Sequence, residues 1–452
     1  DVYLESYTPG TPATVELDGA QVAVTQREEV VWYKIPEEGC ASWIGSFING
    51  VKNEVEEVDG KCKLTLHIQE VPHHGPVIPG SQMTTEEGGE AVMTWKWTGF
   101  KPTNELKTVY KMMRMASPEE FLDALSYFKV GAQNWVYADQ SGHIAYAAFC
   151  QIPVRKHLAA GDTDHPAYLP YPGTGCCEWE GDVALEGLPQ SVDPEQGYII
   201  TANGDALGHT LDGNPYNDST YQGYTFDLGF RVQRVNDLMS DLVDAGTPLT
   251  LEHMQAIQGD HRSPMGAALT SHILEAIEAA EAEATDNPEG ELAVLATPEV
   301  LAAKEKLAAW TFMAESGAGE DATATQKEDA IATSIFNAWL VFVAQELLDN
   351  KVSTGFDRQF TAKFLLRLYA DPQSLATWDG DLGDSVVWDN PDTAEVETRH
   401  WITLKALNLA LDFLANPEQV GVPQAGGFGT DDMTQWLWGN LHTIKLTHPL
   451  GG

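Results

Sequence analysis

Short runs of β-prone residues dominate the first hundred positions of the chain. Val22–Val24, Glu29–Lys34 and Lys63–Glu70 are rich in Val, Ile, Thr or aromatic residues, and apolar and polar positions partly alternate. Alternation with a period of two places apolar side chains on one face of a strand and polar side chains on the other. Turn dipeptides such as Asp59-Gly60 separate the runs, so the pattern predicts a meander of strands with one solvated face.

The apolar period changes to that of a helix at residue 117. Ser117-Pro118-Glu119-Glu120 has the form of a capping box with Pro at the first helical position. The apolar residues that then share one helical face are Phe121, Leu122, Leu125 and Phe128. Two β-prone runs follow, Asn134–Ala138 and His143–Ala147, and the tetrapeptide Asp139–Gly142 joins them. We predict one amphipathic helix and then a β-hairpin.

The second half of the chain is predicted to be mainly helical. A loop-rich stretch from Pro153 to Tyr224 precedes it, and apolar residues then recur with helical spacing from Phe230 to about Phe413. Thr297 followed by Pro298 is a typical helix start. The last segment, Trp436–His442, is aromatic and is predicted to be extended.

This order of elements predicts an α+β fold, because strands and helices do not alternate one for one. We expect a β-rich part at residues 1–229, a mainly helical part at 230–416, and a return toward the core sheet at 417–452. The three parts are expected to form one continuous structural unit.

Acidic residues outnumber basic residues heavily. The chain has 26 Lys and Arg residues against 67 Asp and Glu residues, which gives a formal charge of -41 at pH 7. Such a charge repels nucleic-acid phosphates and anionic lipid headgroups, so we expect no nucleic-acid partner. No run of 18 or more apolar residues occurs, and Asp1–Glu5 has neither a basic segment nor an apolar signal core. We therefore expect no membrane insertion and a chain that is already processed.

The five cysteines leave two interpretations open. Cys40 and Cys62 flank a predicted hairpin, and Cys150 lies near Cys176-Cys177 in the sequence. One or two disulfides are expected if the protein is exported, and buried reduced thiols are the alternative. There is no C-x-x-C pair, and the histidines are scattered without zinc-like spacing, so a metal cluster is not expected.

Several segments resemble the penicillin acylase family. Asn134–Tyr146, followed by Pro153-Val154-Arg155, is similar to the family run N-W-x-Y-A-D-x-x-G-x-I-x-Y…P-x-R. Asp1–Glu5 resembles its D-x-x-x-E strand, His74–Ile78 its H-G-P-V-I run, and Tyr171–Gly175 its P-G-T-G loop. Further similar segments, in the same order, are Gly197–Asn203, Arg231 with Arg234, Trp438–His442 and His448–Leu450. The collinear set covers nearly the whole chain.

The resemblance implies an αββα N-terminal-nucleophile hydrolase sandwich with a large helical insertion. In this family a precursor cuts itself and exposes a nucleophile, usually Ser, at the start of the β-subunit. The α-amine of that residue serves as general base, since its pKa of about 8 lets it accept a proton near neutral pH. The implied reaction is hydrolysis of a linear amide bond in a small N-acyl compound, such as a penicillin, an acyl-homoserine lactone or an N-acyl peptide.

Four residues match family positions with expected roles. Asn134 matches the oxyanion-hole asparagine, whose side-chain N–H can point at the developing charge. Arg155 matches an arginine that orders the site, although a lone cation could equally pair with one of the many carboxylates. Asp1 matches a carboxylate of a calcium loop, so a structural calcium is the expected metal, without an organic cofactor. Asn203 is expected to hydrogen bond within a turn near the cleft.

The resemblance also implies partners. Asp1 matches a position well inside the β-subunit, so the nucleophile and a second oxyanion donor are expected to precede it. We expect an α-subunit and the remaining β-subunit segments of the same precursor to complete the site, and the chain alone to be inactive. The alternative is a catalytically inactive extracellular module for binding or assembly, motivated by the absent nucleophile and the extreme charge. Acidity, cysteine content and the family's export habit favour a periplasmic or extracellular location.

Overall fold

Strands occupy the first half of the chain and long helices the second. The computed structural model describes residues 1–42, 52–85, 88–209, 214, 218, 220–223, 226–348, 358–380, 383–390, 393, 396–416 and 426–443. The chain divides into two units, Asp1–Phe226 and Asp227–Gly452. The predicted change at 229/230 coincides with the start of the first long helix, Phe230–Asp244.

Among its described residues the first unit holds fifteen strands and three α-helices. The strands are β1 (Val2–Thr8), β2 (Thr14–Leu17), β3 (Ala20–Ala23), β4 (Thr25–Tyr33), β5 (Glu54–Val58), β6 (Lys61–Val71), β7 (Gly75–Pro76), β8 (Met83–Thr84), β9 (Glu90–Trp95), β10 (Gln133–Ala138), β11 (Ile144–Phe149), β12 (Pro153–Arg155), β13 (Tyr171–Pro172), β14 (Trp179–Asp182) and β15 (Gln190–Val192). The helices are α1 (Glu105–Met112), α2 (Pro118–Leu125) and α3 (Lys156–Ala159).

The largest sheet has the strand order β3-β2-β1-β9-β8, and β13 pairs in parallel with Tyr3 and Leu4 of β1, on the edge opposite β9. Alternation along β1 turns Tyr3, Glu5 and Tyr7 inward, and all three are buried. An acidic residue in this inward set is exceptional, because a buried carboxylate is costly unless it is paired. The strand therefore brings a charge that the surrounding residues must compensate.

A second sheet confirms the predicted strand at Lys63–Glu70 and its solvated face. In it β6 lies between β4 and β5, so the connection is not a simple meander. The side chains that β6 turns inward are Cys62, Leu64, Leu66 and Ile68. Cys40 and Cys62, for which the sequence left a disulfide and reduced thiols open, form a disulfide that links the segment after β4 to β6.

The predicted β-hairpin is confirmed. β10 and β11 pair antiparallel, with Asn134 opposite Ala148 and Val136 opposite Tyr146, and β15 adds to the other edge of β11. The other face of the hairpin packs on α2. α2 begins as predicted, since the Ser117 hydroxyl accepts a hydrogen bond from the Glu120 N–H and Pro118 is the first helical residue. It ends at Leu125, earlier than the apolar pattern indicated, although Phe128 still packs on this cluster.

The second unit has one large helical core. Its helices are α4 (Phe230–Asp244), α5 (Leu251–Gln258), α6 (Pro264–Asp286), α7 (Pro298–Ala309), α8 (Ala324–Leu348), α9 (Arg358–Ala370), α10 (Arg399–Ala415) and α11 (Trp438–Leu441). Two short strands, β16 (Trp378–Asp379) and β17 (Asp384–Ser385), form a ribbon beside them. Thr297 caps α7 by accepting from the Val300 N–H, as its position before Pro298 predicted.

Helix α8 is long and apolar enough to cross a membrane by length and composition alone. Its residues Ile331, Ile335, Trp339 and Val343 are instead buried in the core with side chains of α6, α7 and α10. A core helix surrounded by other helices is apolar on several sides, so packing accounts for its composition. We interpret α8 as the central helix of this core.

The prediction of an extended segment at Trp436–His442 is wrong. Trp436 is buried in the helical core, and Trp438–Leu441 forms a helical turn. The Ser334 hydroxyl of α8 donates to the Trp436 carbonyl at 3.0 Å, so this aromatic segment is held against helices rather than a sheet. The similar run His448–Leu450 lies outside the described residues, as does half of the predicted return at 417–452.

Candidate functional site

Asn134 lies on the open face of the hairpin. Its Oδ1 accepts a 2.8 Å hydrogen bond from the Tyr146 hydroxyl, which lies diagonally across the β10–β11 pair. This bond orients the carboxamide, because the oxygen is held and the Nδ2 group is left to donate. Among the described residues no acceptor engages Nδ2. Val136, on the same face, is 62% exposed, so the described part of the unit leaves this face uncovered.

Asp1 and Arg155, 154 residues apart in sequence, form a buried ion pair. The Arg155 Nε and Nη2 atoms donate to the two Asp1 carboxylate oxygens, each at 2.8 Å. Trp179 Nε1 donates to Asp1 Oδ2 at 2.5 Å, and the remaining Arg155 Nη1 donates to the Tyr221 carbonyl at 3.1 Å. A bidentate fork of this kind fixes both side chains and ties β1 to β12 and β14.

The surroundings of Asp1 fit a guanidinium better than a calcium ion. Its carboxylate already accepts three hydrogen bonds, two of them from the cation of Arg155. Calcium prefers six to eight oxygen ligands and would be repelled by an adjacent guanidinium. The expected calcium site at Asp1 therefore stays a prediction without support from these contacts.

A second buried charge cluster surrounds His74. The fully buried His74 ring bonds through Nδ1 to Glu5 Oε1 at 2.7 Å and through Nε2 to Glu178 Oε1 at 2.6 Å. Lys96 Nζ donates to the other Glu178 oxygen at 2.8 Å, and Tyr3 stacks on the His74 ring with 3.7 Å between ring centroids. Since both ring nitrogens face carboxylates, both must donate, and His74 is an imidazolium.

The electrostatics of this cluster agree with that protonation state. Burial alone would lower the pKa of His74, but the hydrogen bonds to Glu178 and Glu5 outweigh it, and the net pKa is raised. Burial would raise the pKa of Glu178, and its bonds to His74 and Lys96 reverse this and bring it to about 2. The compensation that Glu5 requires inside β1 is thus supplied by a charged histidine.

Two glycines, in the segments His74–Ile78 and Tyr171–Gly175 that resemble the family, allow this cluster to form. A Cβ on Gly173 would lie 2.2 Å from the Oε2 atom of Glu5, so any side chain there would displace the carboxylate. Gly75 has a φ of +95°, and a Cβ there would lie 2.7 Å from the Trp95 carbonyl oxygen. Only glycine combines this positive φ with so close an approach to neighbouring backbone.

A cavity of about 620 Å³ adjoins the His74 cluster. Aromatic side chains of Trp97, Phe100 and Trp179 line it together with Lys96 and Gln151. Its volume is in the range of small-molecule pockets. Asn134 is not among the lining residues, although Gln151 follows the β11 strand that pairs with it.

Stability of the first unit should depend on pH through this cluster. His74, with its raised pKa, stabilises the fold fully below its ordinary pKa of about 6.5, and the contribution is lost as pH rises through the raised value. Ionised Glu178 stabilises the fold fully above its ordinary pKa of about 4.3, and this contribution is lost as the pH falls toward the lowered pKa of about 2. We expect the melting-temperature difference between wild type and His74→Gln to be largest near pH 5 to 6 and to become smaller as the pH rises above that range. A difference that grows toward pH 9 would contradict a charged His74.

The contacts of Asn203, Arg234 and the cysteines indicate structural roles for these residues. Asn203 has a φ of +60°, a left-handed conformation that Asn adopts more readily than most residues and that suits the expected turn. Arg234 forms a bidentate pair with Asp260, at 3.0 and 2.6 Å. Cys176 and Cys177 form a second disulfide, and Cys150 is a free, half-buried thiol.

Comparison with solved structures defines the class of fold. The chain is similar to a thermostable penicillin G acylase from Alcaligenes faecalis, with a TM-score of 0.56 and 19% sequence identity over 96% of this chain and 66% of that chain. The similarity confirms the predicted α+β fold of an N-terminal-nucleophile hydrolase. A family model described as penicillin amidase matches residues 1–452, so the chain belongs to the penicillin amidase family.

Curated relatives agree with this membership. An acyl-homoserine lactone acylase QuiP from Pseudomonas fluorescens Pf-5 is 24% identical over 89% of this chain and 44% of its own length. Penicillin acylase 2 proenzyme from Pseudomonas sp. SE83 is 30% identical over 29% of this chain and 16% of its own length. Penicillin G acylase from Escherichia coli is 37% identical over 16% of this chain and 8% of its own length. The chain therefore spans less than half the length of these relatives.

Proposed function

We propose that this chain forms the body of an amidohydrolase that cleaves a linear amide bond in a small N-acyl compound. Family membership supports the reaction class, and relatives named penicillin acylase or acyl-homoserine lactone acylase suggest the kind of substrate. The nucleophile, a residue with a free α-amine, is provided by a segment outside these residues. That arrangement is consistent with the match of Asp1 to a position inside the family's β-subunit.

The geometry of Asn134 carries the proposal. A donor is useful to an acyl-transfer enzyme when it is oriented before the oxyanion forms, since no reorganisation is then needed in the transition state. The Tyr146 hydroxyl holds Oδ1, so the Asn134 amide can direct Nδ2–H at a group above the open face of the hairpin. An exposed amide with a fixed orientation is suited to this task and contributes little to the packing of α2.

The proposed reaction has two halves. The nucleophile's hydroxyl oxygen attacks the substrate carbonyl carbon while its own α-amine accepts the hydroxyl proton. Asn134 and a second donor outside this chain stabilise the tetrahedral oxyanion, which collapses to an acyl-enzyme as the leaving amine takes the proton. Water then attacks the ester, the α-amine again accepts and returns a proton, and the free acid leaves.

The proposal includes companion segments and a location outside the cytoplasm. We propose that an α-subunit and the remaining β-subunit of the same precursor cover the open face of the hairpin. The Cys40–Cys62 and Cys176–Cys177 disulfides support a periplasmic or extracellular location, because disulfides persist in oxidising compartments. In this proposal Arg155 has a positioning role, because it holds the carboxylate of Asp1 in place. Binding of a structural calcium ion remains a prediction, which metal analysis would test.

Turnover by the full-length protein tests the proposed function. The protein with all its segments would be incubated with a panel of chromogenic N-acyl amides whose acyl groups range from phenylacetyl to long alkyl chains. The proposal predicts hydrolysis of at least one member. Absence of turnover over the whole panel, together with retained binding of acyl ligands, would favour the alternative of an inactive binding or assembly module.

Tyr146→Phe should lower kcat of the assembled enzyme by about 5- to 30-fold with little change in KM. Loss of one neutral hydrogen bond costs about 1 to 2 kcal/mol, and here the loss frees the Asn134 amide to rotate. Tyr137→Phe is the matched control, because its hydroxyl donates to Asp139 in the same hairpin, away from Asn134. Equal kcat values for Tyr146→Phe and Tyr137→Phe would show that Tyr146 has no positioning role.

A further inference from the structure

Helix α1 exposes an apolar face in the described part of the first unit. Its inward side is formed by Thr108, which is buried, and Met112, which packs on the cluster between α2 and the hairpin. The outward side has the helical spacing i, i+3, i+4 and i+7 and consists of Leu106, Val109, Tyr110 and the C-cap residue Met113. All four are exposed, Leu106 by 83% and Met113 by 81%. A contiguous apolar face of this kind marks an interaction surface.

The same segment is basic in an otherwise strongly acidic chain. Residues 96–114 contain five of the 26 Lys and Arg residues but one of the 67 Asp and Glu residues, so their formal charge is +4 within a total of -41. The cations of Lys107 and Arg114 lie over the rings of Tyr127 and Tyr110, at 3.8 and 4.3 Å from the ring centroids. Neither cation forms an ion pair with a carboxylate of the described residues. In so acidic a chain, this pattern points to carboxylates of a partner.

We propose that this surface, called the α1 face, docks an acidic and partly apolar surface of the companion polypeptide from the same precursor. The inference rests on the proposed function, in which companion segments complete the enzyme. The chain covers 66% of the solved penicillin G acylase chain and 44% of the acyl-homoserine lactone acylase QuiP. In a protein of comparable length, a large part of the sequence lies outside this chain and has to pack against it.

The side chains of the α1 face suit a protein partner. Tyr and Arg are enriched among the residues that contribute most to protein interfaces. The stacking of Arg114 on Tyr110 orders both side chains before contact, so less conformational entropy is lost on binding. Lys107 and Arg114 can then pair with carboxylates at the edge of the apolar contact.

Charge selects the companion over other occupants. In a two-fold contact a second copy would place the same basic face against itself, and the total of -41 on each copy adds repulsion. An anionic lipid surface attracts the local cations but is repelled by the total charge. A companion from the same precursor folds while it is still covalently joined to this chain. Its high effective concentration overcomes long-range repulsion, and the basic face is where its carboxylates meet least resistance.

Oxidation of two neighbouring methionines in the full-length protein tests the proposal. Met113 belongs to the α1 face, and half-buried Met112 is the matched control on the inward side. We expect hydrogen peroxide to oxidise Met113 at a rate within about 2-fold of that of Met112, whereas a side chain left 81% exposed would react about 10-fold faster. Mass spectrometry of peptides would measure both rates.

A fast reaction at Met113 would overturn the inference. If Met113 then became protected only on vesicles of phosphatidylglycerol, or only at high protein concentration, the occupant would be a lipid surface or a second copy. Turnover of the chromogenic amides would be measured on the same preparation. Turnover together with an exposed Met113 would refute the α1 face as an interface and leave the proposed function standing.

Charge variants and cross-linking test the acidic character of the partner. A carbodiimide should join the Lys107 amine to a carboxylate of the companion. Lys107→Glu should weaken association of the companion about 10-fold, measured by gel filtration at increasing urea concentration, because it places like charges in contact. Lys61→Glu makes the same charge change at the exposed start of β6 and should alter association by less than about 2-fold. Equal effects of the two substitutions, without a cross-link from Lys107 to the companion, would overturn the proposal.

Discussion

Asn134→Ala is expected to lower kcat of the assembled enzyme about 10²- to 10³-fold, with a much smaller change in KM. Removal of one oxyanion donor typically costs about 3 to 4 kcal/mol of transition-state stabilisation. Asn134 contributes little else, since its side chain is exposed and bonds only to Tyr146 among the described residues. Steady-state kinetics on the best substrate of the chromogenic panel would measure the effect.

Two further variants make this result specific. Asn134→Asp keeps the shape of the side chain but replaces the N–H donors with a negative charge, and should reduce kcat at least as much as Asn134→Ala. Gln133→Ala, the exposed neighbour on β10, should leave kcat within about 2-fold of wild type, because surface substitutions away from such features usually change little. An Asn134→Ala enzyme with kcat within about 3-fold of wild type would exclude Asn134 as an oxyanion donor.

His74→Ala is expected to destabilise the first unit by about 3 to 5 kcal/mol, the usual cost of leaving a buried charge without its partner. The substitution leaves Glu5 buried within β1 and removes a hydrogen bond from Glu178. For a unit of this size the loss corresponds to a melting temperature lower by about 10 °C. Differential scanning calorimetry of the full-length protein at pH 6 would measure it.

His67→Ala provides the matched control for this result. His67 also faces two carboxylates, those of Glu28 and Glu54, but both of these are exposed on the outer face of the second sheet. Exposed ion pairs contribute about 0 to 1 kcal/mol, so the melting temperature should fall by no more than about 3 °C. Similar losses for His67→Ala and His74→Ala would show that burial of the His74 cluster is unimportant.

Local sequence patterns were sufficient to predict much of the fold. The Ser117 cap, the Thr297 cap and the β10–β11 hairpin each depend on residues within a few positions of one another. Their physical causes are hydrogen bonds and alternation over short distances, which a sequence shows directly. The prediction of an extended segment at Trp436–His442 was wrong for the opposite reason. Its aromatic residues are buried by helices that are distant in sequence rather than by a neighbouring strand.

The site itself was only partly predictable. Asn134 and Arg155 could be located through the resemblance, but the partner of Arg155 lies 154 residues away and no local pattern indicates it. The His74 cluster joins residues 69 and 104 positions apart, and the scattered spacing of the histidines gave no indication of it. One signal was available: Glu5 occupies an inward position of an alternating strand, and a buried acid there requires a cation.

The central claim is that a nucleophile outside this chain completes the site that Asn134 serves. N-terminal sequencing of every polypeptide in the purified full-length protein tests it most directly. We predict one polypeptide that begins with Ser, Thr or Cys and continues, several dozen residues later, into the segment Asp1–Glu5. If no polypeptide begins with such a residue, the N-terminal-nucleophile mechanism is contradicted.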